Sequence, residues 1–191
     1  MLIIVSGFAG SGKSSLADSL GKELKLKVVH ASALLRQMSI EGVSALKNAS
    51  PEKIQDWWES DEAKEFMKKR MEDESLDRAL DKRLMEIAKK GNVILDSWTI
   101  GYLYKGKAFK IWLDASAETR AKRVSERDKL DFQKVVQKIK NRDSETKALY
   151  ERLYNFRMGE KLDQFNLSLK TDNMSKKQVF EKVLKEIKKQ K

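Results

Sequence analysis

The chain has 191 residues, and its 40 lysine and arginine side chains outnumber 29 acidic ones, which gives a formal charge of +11 at pH 7. This length fits one compact domain, and the hydrophobic share of 40% is typical of a folding sequence. The absence of cysteine excludes structural disulfides, thiolate zinc sites and a cysteine nucleophile, and the single histidine, His30, excludes multi-histidine metal centres.

Charge and hydropathy indicate the surroundings of the chain. The longest apolar run, Leu2–Val5, is far shorter than the roughly 18 residues that a membrane span needs. We therefore expect a cytoplasmic protein with no membrane partner. The surplus of positive charge suits anionic partners such as nucleotides, phosphates or nucleic acid, although a merely solvated basic surface gives the same composition.

Five short apolar runs alternate with longer helical patterns along the chain. This alternation is typical of a parallel, doubly wound α/β sheet. The predicted strands are Leu2–Ser6, Lys27–His30, Asn92–Asp96, Phe109–Asp114 and Phe165–Lys170.

The helical patterns carry their own start and stop signals. Ser75 is expected to cap a helix that ends at Gly91, and Ser175 with Gln178 forms a capping box for the last helix. Further patterns follow the first strand, with leucines at every fourth position, and cover residues 131–154.

The stretch from residue 39 to 74 fits the sheet least well. Ser50 followed by Pro51 and Glu52 reads as a helix N-cap with proline at the first helical position. The pair Trp57-Trp58 falls within that helix. We therefore expect a helical insertion here.

The segment that follows the first strand carries the strongest motif. Gly7-Phe8-Ala9-Gly10-Ser11-Gly12-Lys13-Ser14 matches G-x-x-x-x-G-K-[ST] in full. In this motif backbone N–H groups and a helix N-terminus cradle a polyphosphate, the lysine contacts the β- and γ-phosphates, and the last hydroxyl binds Mg²⁺. The predicted ATP-binding residues are Gly7, Ala9, Gly10, Ser11, Gly12, Lys13, Ser14 and Ser15.

A second acid is expected near the magnesium ion. The apolar run 92–96 ends in Asp96, at the edge where open α/β sheets bind ligands. We predict that Ser14 and Asp96 hold Mg²⁺, directly or through water. An aspartate at this position also commonly caps the following helix, so the assignment depends on the phosphate-binding loop.

Phosphoryl transfer between two anions requires cations for both partners. Arg36 follows the second strand, and Arg120, Arg123 and Arg127 share one helical face after the fourth. Arg142 lies further along the chain. Without the phosphate-binding loop, a solvated surface position would be the better interpretation of any one of these arginines.

With these residues in place, the chain resembles nucleoside monophosphate kinases, most closely the archaeal-type cytidylate kinases. His30–Arg36 resembles the acceptor motif S-A-G-D-I-F-R, and 80–101 resembles I-D-x-R…G-N-V-V-L-E-x-R-L-A-G. The segments 112–127 and 139–150 resemble L-D-A-S-x-E-x-R-A-x-R…R and I-x-x-R-D-x-S-E, and Thr171-Asp172-Asn173 follows the last strand.

The resemblance implies a fold. It predicts a three-layer P-loop kinase whose five parallel strands lie in the order 2-3-1-4-5. The chain would form a single domain over residues 1–191, with an acceptor-binding helical insertion at about 39–74 and a lid at about 127–147.

The resemblance also implies roles for residues. Lys13, Arg127 and Arg142 would stabilise charge during transfer, and Arg123 would lie against adenine. Further predicted contacts are Asp172 and Asn173 at the adenine, and Ser32, Arg36, Asp81 and Trp98 at the acceptor, with Arg36 holding its phosphate.

Three positions depart from the family pattern. Ala33 replaces the acceptor-motif aspartate, Trp98 replaces an arginine after the third strand, and Leu149 replaces an arginine near the end of the lid helix. Lost guanidinium groups remove bidentate contacts that lysine does not reproduce. Two interpretations of Trp98 stay open: it remodels the acceptor pocket, or it packs beneath the lid while Arg36 or Arg83 serves the phosphate.

The sequence therefore predicts a monomeric, ATP- and Mg²⁺-dependent kinase that phosphorylates a nucleoside monophosphate, with CMP or dCMP favoured. One alternative is a P-loop kinase with another small-molecule acceptor. A second alternative, which we rank lower, is a nucleotide-dependent nucleic-acid-binding protein, suggested by the charge and the lysine-rich tail 185–191.

Overall fold

A parallel five-stranded sheet forms the centre of the molecule in a computed structural model, which describes residues 1–42, 65, 68–70 and 72–190. All strand pairs are parallel and the order is β2-β3-β1-β4-β5, which confirms the predicted sheet. The strands are β1 (Leu2–Gly7), β2 (Lys27–His30), β3 (Val93–Asp96), β4 (Phe109–Asp114) and β5 (Leu167–Lys170).

Seven α-helices surround this sheet within the described residues. They are α1 (Lys13–Leu24), α2 (Ala31–Glu41), α3 (Glu74–Lys90), α4 (Ile100–Leu103), α5 (Ala117–Asp128), α6 (Phe132–Tyr154) and α7 (Lys176–Lys188). A short 3₁₀ turn, Leu162–Gln164, precedes β5.

The three-layer arrangement follows from the period of a β-strand, because successive side chains point to opposite faces. Leu2 and Ile4 of β1 pack with apolar residues of α2 and α3. Ile3 and Val5 of the same strand pack with α1 and α7. The central strand β1 is therefore buried on both faces, as is typical of parallel sheets.

Local chemistry sets the element boundaries and corrects three predictions. The side chain of Asp73, not of Ser75, caps α3 by accepting a hydrogen bond from the Ser75 backbone. Asn92 has a φ of 52°, so β3 begins one residue later than expected. Phe165 follows the 3₁₀ turn and packs in an aromatic cluster, so β5 begins only at Leu167.

Two predicted segments relate differently to these elements. The helical insertion over 39–74, including Ser50-Pro51-Glu52 and Trp57-Trp58, lies for the most part outside the described residues. The predicted lid, 127–147, comprises the end of α5, a short turn and α6 as far as Lys147.

None of the helices in the described part of the chain is long and apolar enough to cross a membrane.

Candidate active site

The turn between β1 and α1 has a backbone that only glycine can adopt. Gly7 has a φ of +147°, and a Cβ added there would lie 2.3 Å from the backbone oxygen of Leu113. Gly12 has a φ of +96° and immediately precedes α1. Because the helix starts at Lys13, the N–H groups of its first turn point into the loop, where they can bind an anion.

Lys13 is held inside this loop. Its Nζ donates to the backbone oxygen of Phe8 at 2.9 Å, and the side chain is buried. Burial lowers the pKa of Lys13 to about 8, an effect that Asp96 opposes and the nearby Arg142 reinforces. An incoming polyphosphate would supply the negative charge that this buried ammonium group lacks.

Ser14 and Asp96 meet at the carboxyl end of β3. Ser14 Oγ donates to Asp96 Oδ2 at 2.6 Å, and Asp96 is only 5% exposed. Burial by itself would raise the pKa of Asp96, but the hydrogen bond from His30 and the charge of Lys13 outweigh it and lower that pKa. Asp96 is therefore an ionised carboxylate in a largely buried site.

This pair of oxygen ligands suits magnesium. Mg²⁺ keeps several of its waters and usually takes one or two protein oxygens together with phosphate oxygens. No group of three or more histidine, cysteine or acidic side chains that could form a complete protein cage occurs among the described residues. Ser14 and Asp96 could thus hold the cation jointly with a bound polyphosphate.

His30 adds a contact that the sequence interpretation did not assign. Its Nδ1 lies 2.9 Å from Asp96 Oδ2, and its Nε2 lies 3.0 Å from Asp18 Oδ1. Burial would lower the pKa of His30, but the hydrogen bond and charge of Asp96, together with Asp18, raise it. Since the ionised Asp96 carboxylate only accepts, Nδ1 donates to it, and Nε2 lies within hydrogen-bond distance of Asp18.

A cavity of about 240 Å³ extends from the phosphate-binding loop to α3. The predicted site residues that line it come from six different parts of the fold. They are Ala9, Gly10, Lys13, Ser14, Ser32, Asp81, Asp96, Trp98, Arg127 and Arg142. Arg36, Arg123, Asp172 and Asn173 are not among the lining residues.

Trp98 stands between two cations in this cavity. The Arg142 guanidinium carbon lies 5.0 Å from the centre of the indole ring, and Lys13 Nζ lies 5.8 Å from it. Burial lowers the pKa of Arg142 to about 10, so this arginine remains charged at neutral pH. Trp98 also packs against the aromatic cluster that contains Tyr102 and Trp112, so it is both a wall of the cavity and a packing residue.

The other departures from the family pattern lie in different surroundings. Leu149 is 3% exposed and belongs to the same aromatic cluster, away from the cavity lining. Ala33 lies on α2, between Ser32, which lines the cavity, and the half-buried Arg36. Of the two positions that lose a guanidinium, only Trp98 therefore alters the cavity.

Asp81 provides a buried carboxylate at the α3 end of the cavity. Thr99 Oγ1 donates to its Oδ1, whereas Oδ2 is buried without a hydrogen bond of normal geometry among the described residues; the Tyr154 hydroxyl also interacts with this carboxyl. Burial raises the pKa of Asp81 to about 6, although the bond from Thr99 opposes the shift. An unsatisfied carboxylate oxygen in a cavity is suited to accept from a ligand N–H or O–H.

A second buried ion pair lies beside Asp81. Arg70, only 2% exposed, pairs with Asp77, and its guanidinium lies 3.5 Å from the hydroxyl of Tyr150. Arg70 and Tyr150 both line the cavity. The positive charge of Arg70 contributes to the lowered pKa of Arg142. Two guanidinium groups therefore lie near one another in the cavity.

The arginines of α5 have separate tasks. Arg120 is 4% exposed, donates to the backbone oxygen of Ala9 at 3.0 Å and pairs with Asp143 of α6. Arg123 donates to Thr171 and, at 3.4 Å, to the backbone oxygen of Ser11. These two arginines therefore hold the phosphate-binding loop from outside, and only Arg127 of the three lines the cavity.

Asp172 and Asn173 are exposed residues that follow the Thr171 contacted by Arg123. Asp172 Oδ1 accepts from the backbone N–H of Ser116 at 2.9 Å and from the Thr119 hydroxyl. These hydrogen bonds lower the pKa of Asp172 to about 2. The predicted adenine contacts Asp172 and Asn173 thus lie next to Arg123, just after the end of β5.

Several site residues escaped the sequence interpretation. His30 ends β2 as Asp96 ends β3, and this shared position at the sheet edge was a signal that could have paired them. Arg70, Asp77 and Asp143 carry no such signal, because isolated charged residues in helical patterns normally lie on the solvated face.

Comparison with known proteins shows which family the chain matches. A model of the cytidylate kinase-like family matches residues 2–173. A cytidylate kinase of Pyrococcus horikoshii is 31% identical over 180 residues, covering 94% of this chain and 84% of the relative. A cytidylate kinase of Sulfurisphaera tokodaii is 32% identical over 177 residues, covering 91% and 88%.

Solved structures share the fold at low identity. TT1252 from Thermus thermophilus aligns with a TM-score of 0.59 at 18% identity, covering 100% of this chain and 97% of that one. Shikimate kinase from Bacteroides thetaiotaomicron aligns with a TM-score of 0.57 at 12% identity, covering 99% and 98%. These structures show the fold alone, whereas the family model and the relatives at 31–32% identity show that the chain belongs to the cytidylate kinase-like family.

Proposed function

We propose that this chain transfers the γ-phosphoryl group of ATP to CMP or dCMP and releases the nucleoside diphosphate. The observation that carries the proposal is the single cavity that joins the phosphate-binding loop to the Asp81 carboxylate. Relatives named cytidylate kinase, which cover more than nine-tenths of the chain, support the same activity.

The donor nucleotide occupies the loop end of the cavity in this proposal. Backbone N–H groups of residues 7–15 and the ammonium group of Lys13 bind its phosphates, while Arg123, Asp172 and Asn173 border the adenine. Mg²⁺, when bound through Ser14 and Asp96, neutralises phosphate charge and orients the γ-phosphoryl group.

The acceptor attacks with a phosphate oxygen that is already ionised, so the site needs no strong general base. The required help is charge stabilisation, which Lys13, Arg127 and Arg142 of the cavity lining supply. Arg127 and Arg142 belong to the segment 127–147, which acts as the lid of a single kinase domain over 1–191. The protein acts as a cytoplasmic monomer.

Asp81 distinguishes the acceptor base. Its Oδ2 accepts from the 4-amino group of cytosine, whereas the 4-oxo group of uracil would face it as a second acceptor. The indole of Trp98 offers a flat face to the base or sugar, while Ser32 and Arg36 of α2 serve the ribose and phosphate.

A panel of CMP, dCMP, UMP, AMP and GMP with ATP and Mg²⁺ tests the proposal by the rate of ADP formation. We expect kcat/KM for CMP to exceed that for UMP by at least about tenfold, because UMP leaves the buried carboxylate without a donor. ADP formation with another acceptor but not with CMP would overturn the cytidylate assignment.

Trp98→Arg tests how the acceptor site is built, since it places the arginine of the family pattern next to Lys13 and Arg142. If the indole has remodelled the pocket for another acceptor, this variant gains CMP turnover over the wild type. If the wild type already turns over CMP efficiently, we expect the variant to be slower because three cations then crowd one wall.

A further inference from the structure

The imidazole of His30 lies between two carboxylates at the carboxyl edge of the sheet. His30 ends β2 and is the direct register partner of Asp96, which ends β3. The ring is 6% exposed, with Nδ1 at 2.9 Å from Asp96 Oδ2 and Nε2 at 3.0 Å from Asp18 Oδ1. Both ring nitrogens of a buried side chain are thus committed to defined partners.

These contacts link His30 and Asp96 to α1, the helix that follows the phosphate-binding loop. Ser14 and Asp18 stand four residues apart on α1 and therefore share one face of the helix. Ser14 Oγ donates to Asp96 Oδ2, His30 Nδ1 donates to the same oxygen, and His30 Nε2 lies 3.0 Å from Asp18 Oδ1. Side-chain contacts thus connect α1, β2 and β3.

Two donors on one oxygen restrict how the Asp96 carboxylate can turn. With Oδ2 held by Ser14 and His30, the plane of the carboxylate and the direction of Oδ1 are set. A ligand carboxylate that is oriented by a neighbouring hydrogen bond binds its metal more tightly than a mobile one. His30 stands where the motif resembled by this chain has serine, whose short side chain cannot contact both carboxylates.

We propose that His30 is a positioning residue of the magnesium site: it holds Asp96 in its ligand orientation, and Asp18 holds the His30 ring. The inference rests on the proposed magnesium site and does not require cytidylate to be the acceptor.

Two substitutions separate the contacts of the imidazole. The amide nitrogen of asparagine lies as many bonds from Cβ as Nδ1 does, so His30→Asn retains a donor for Asp96 and loses the contact with Asp18. The amide nitrogen of glutamine corresponds to Nε2, so His30→Gln retains the contact with Asp18 and loses the donor for Asp96. The pair therefore compares one lost hydrogen bond with the other in the same pocket.

The experiment titrates Mn²⁺ into each protein loaded with the β,γ-imido analogue of ATP and follows free metal by electron paramagnetic resonance. The affinity for the analogue is measured separately in EDTA. We expect His30→Gln to weaken metal binding about tenfold or more and His30→Asn to weaken it less than threefold. Metal-free affinity for the analogue stays within twofold of the wild type in both variants.

Three results would overturn the proposal. His30→Gln binds Mn²⁺ as the wild type does, both variants lose metal affinity equally, or metal-free analogue binding falls in parallel with metal binding. If His30→Gln does not fold, His30→Ala, which also removes the donor for Asp96, replaces it with an expected loss of about tenfold, and unchanged metal affinity in His30→Ala is equally decisive. None of these measurements needs an acceptor, so failure of the cytidylate assignment would appear in the nucleotide panel and not here.

Discussion

The donor and acceptor ends of the cavity are built in different ways. The donor end is a contiguous loop, residues 7–15, whose anion-binding groups are backbone N–H groups, one lysine and one serine. The acceptor end is assembled from side chains of α2, α3, α6, the β3–α4 turn and Arg70. A site made from backbone depends on local spacing, whereas a site made from distant side chains depends on packing.

The two ends also balance charge differently. At the donor end the buried Lys13 faces Asp96, whose pKa is lowered. At the acceptor end Asp81 has a raised pKa, and Arg70 is paired with Asp77. The charges at the donor end thus suit a bound polyphosphate. At the acceptor end, the protonation of Asp81 can change with the bound ligand or with pH.

The largest expected effect is at the donor end. Lys13→Ala should lower kcat by about a thousandfold, because it removes a buried charge that acts on the transferring phosphoryl group. The melting temperature should not fall, since burying this ammonium group is itself unfavourable. Turnover and thermal melting check this prediction, with the exposed Lys22→Ala on the same helix as control. Near-normal turnover in Lys13→Ala would contradict the role of the loop.

A smaller effect is expected for Arg120 of α5, which contacts both the phosphate-binding loop and α6. Arg120→Ala should lower the free energy of unfolding by about 3 kcal/mol, because it leaves the mostly buried Asp143 without its ion-pair partner. Affinity for ATP should fall as well, since the Ala9 carbonyl loses its anchor. Denaturant unfolding and ATP binding measure both changes.

Arg157→Ala is the matched control for Arg120, because it breaks an exposed pair with Glu151. The free energy of unfolding should fall far less in Arg157→Ala than in Arg120→Ala, because an exposed ion pair contributes little. Equal costs for the two variants would mean that the contact of Arg120 with α6 does not stabilise the protein.

The smallest expected effect is a pH dependence confined to the acceptor end. The Asp81 carboxyl, with a pKa raised to about 6, is mostly ionised at pH 7 and mostly protonated at pH 5. The ionised fraction falls about tenfold over that range, so the KM for CMP of the wild type should rise about tenfold more than that of Asp81→Asn. The phosphate of CMP titrates equally in both assays and cancels.

The KM for ATP is the internal control for the Asp81 prediction, because ATP does not contact that carboxyl in the proposed binding mode. It should change equally with pH in the wild type and in Asp81→Asn. A ratio of the two CMP KM values that does not vary with pH would show that acceptor binding is independent of the Asp81 charge.

The sequence by itself determined the sheet, the phosphate-binding loop and the family. Apolar runs specify strands buried on both faces, and the right-handed crossover of βαβ units leaves few strand orders. The P-loop could be recognised because its function depends on glycines and a lysine at fixed spacing along the chain. Helix ends were less certain, as Asp73 in place of Ser75 illustrates, because neighbouring polar residues compete for the same cap.

Only the tertiary structure decided which charged residues face the cavity. Arg120, Arg123 and Arg127 share a helical face in sequence, yet one is buried against Ala9, one contacts Thr171 and one lines the cavity. His30 joins Asp18 to Asp96 because the ends of β2 and β3 lie side by side next to α1. Such contacts join residues that are far apart in the chain, so no local period or spacing encodes them, and only the packed sheet and helices bring them within hydrogen-bond distance.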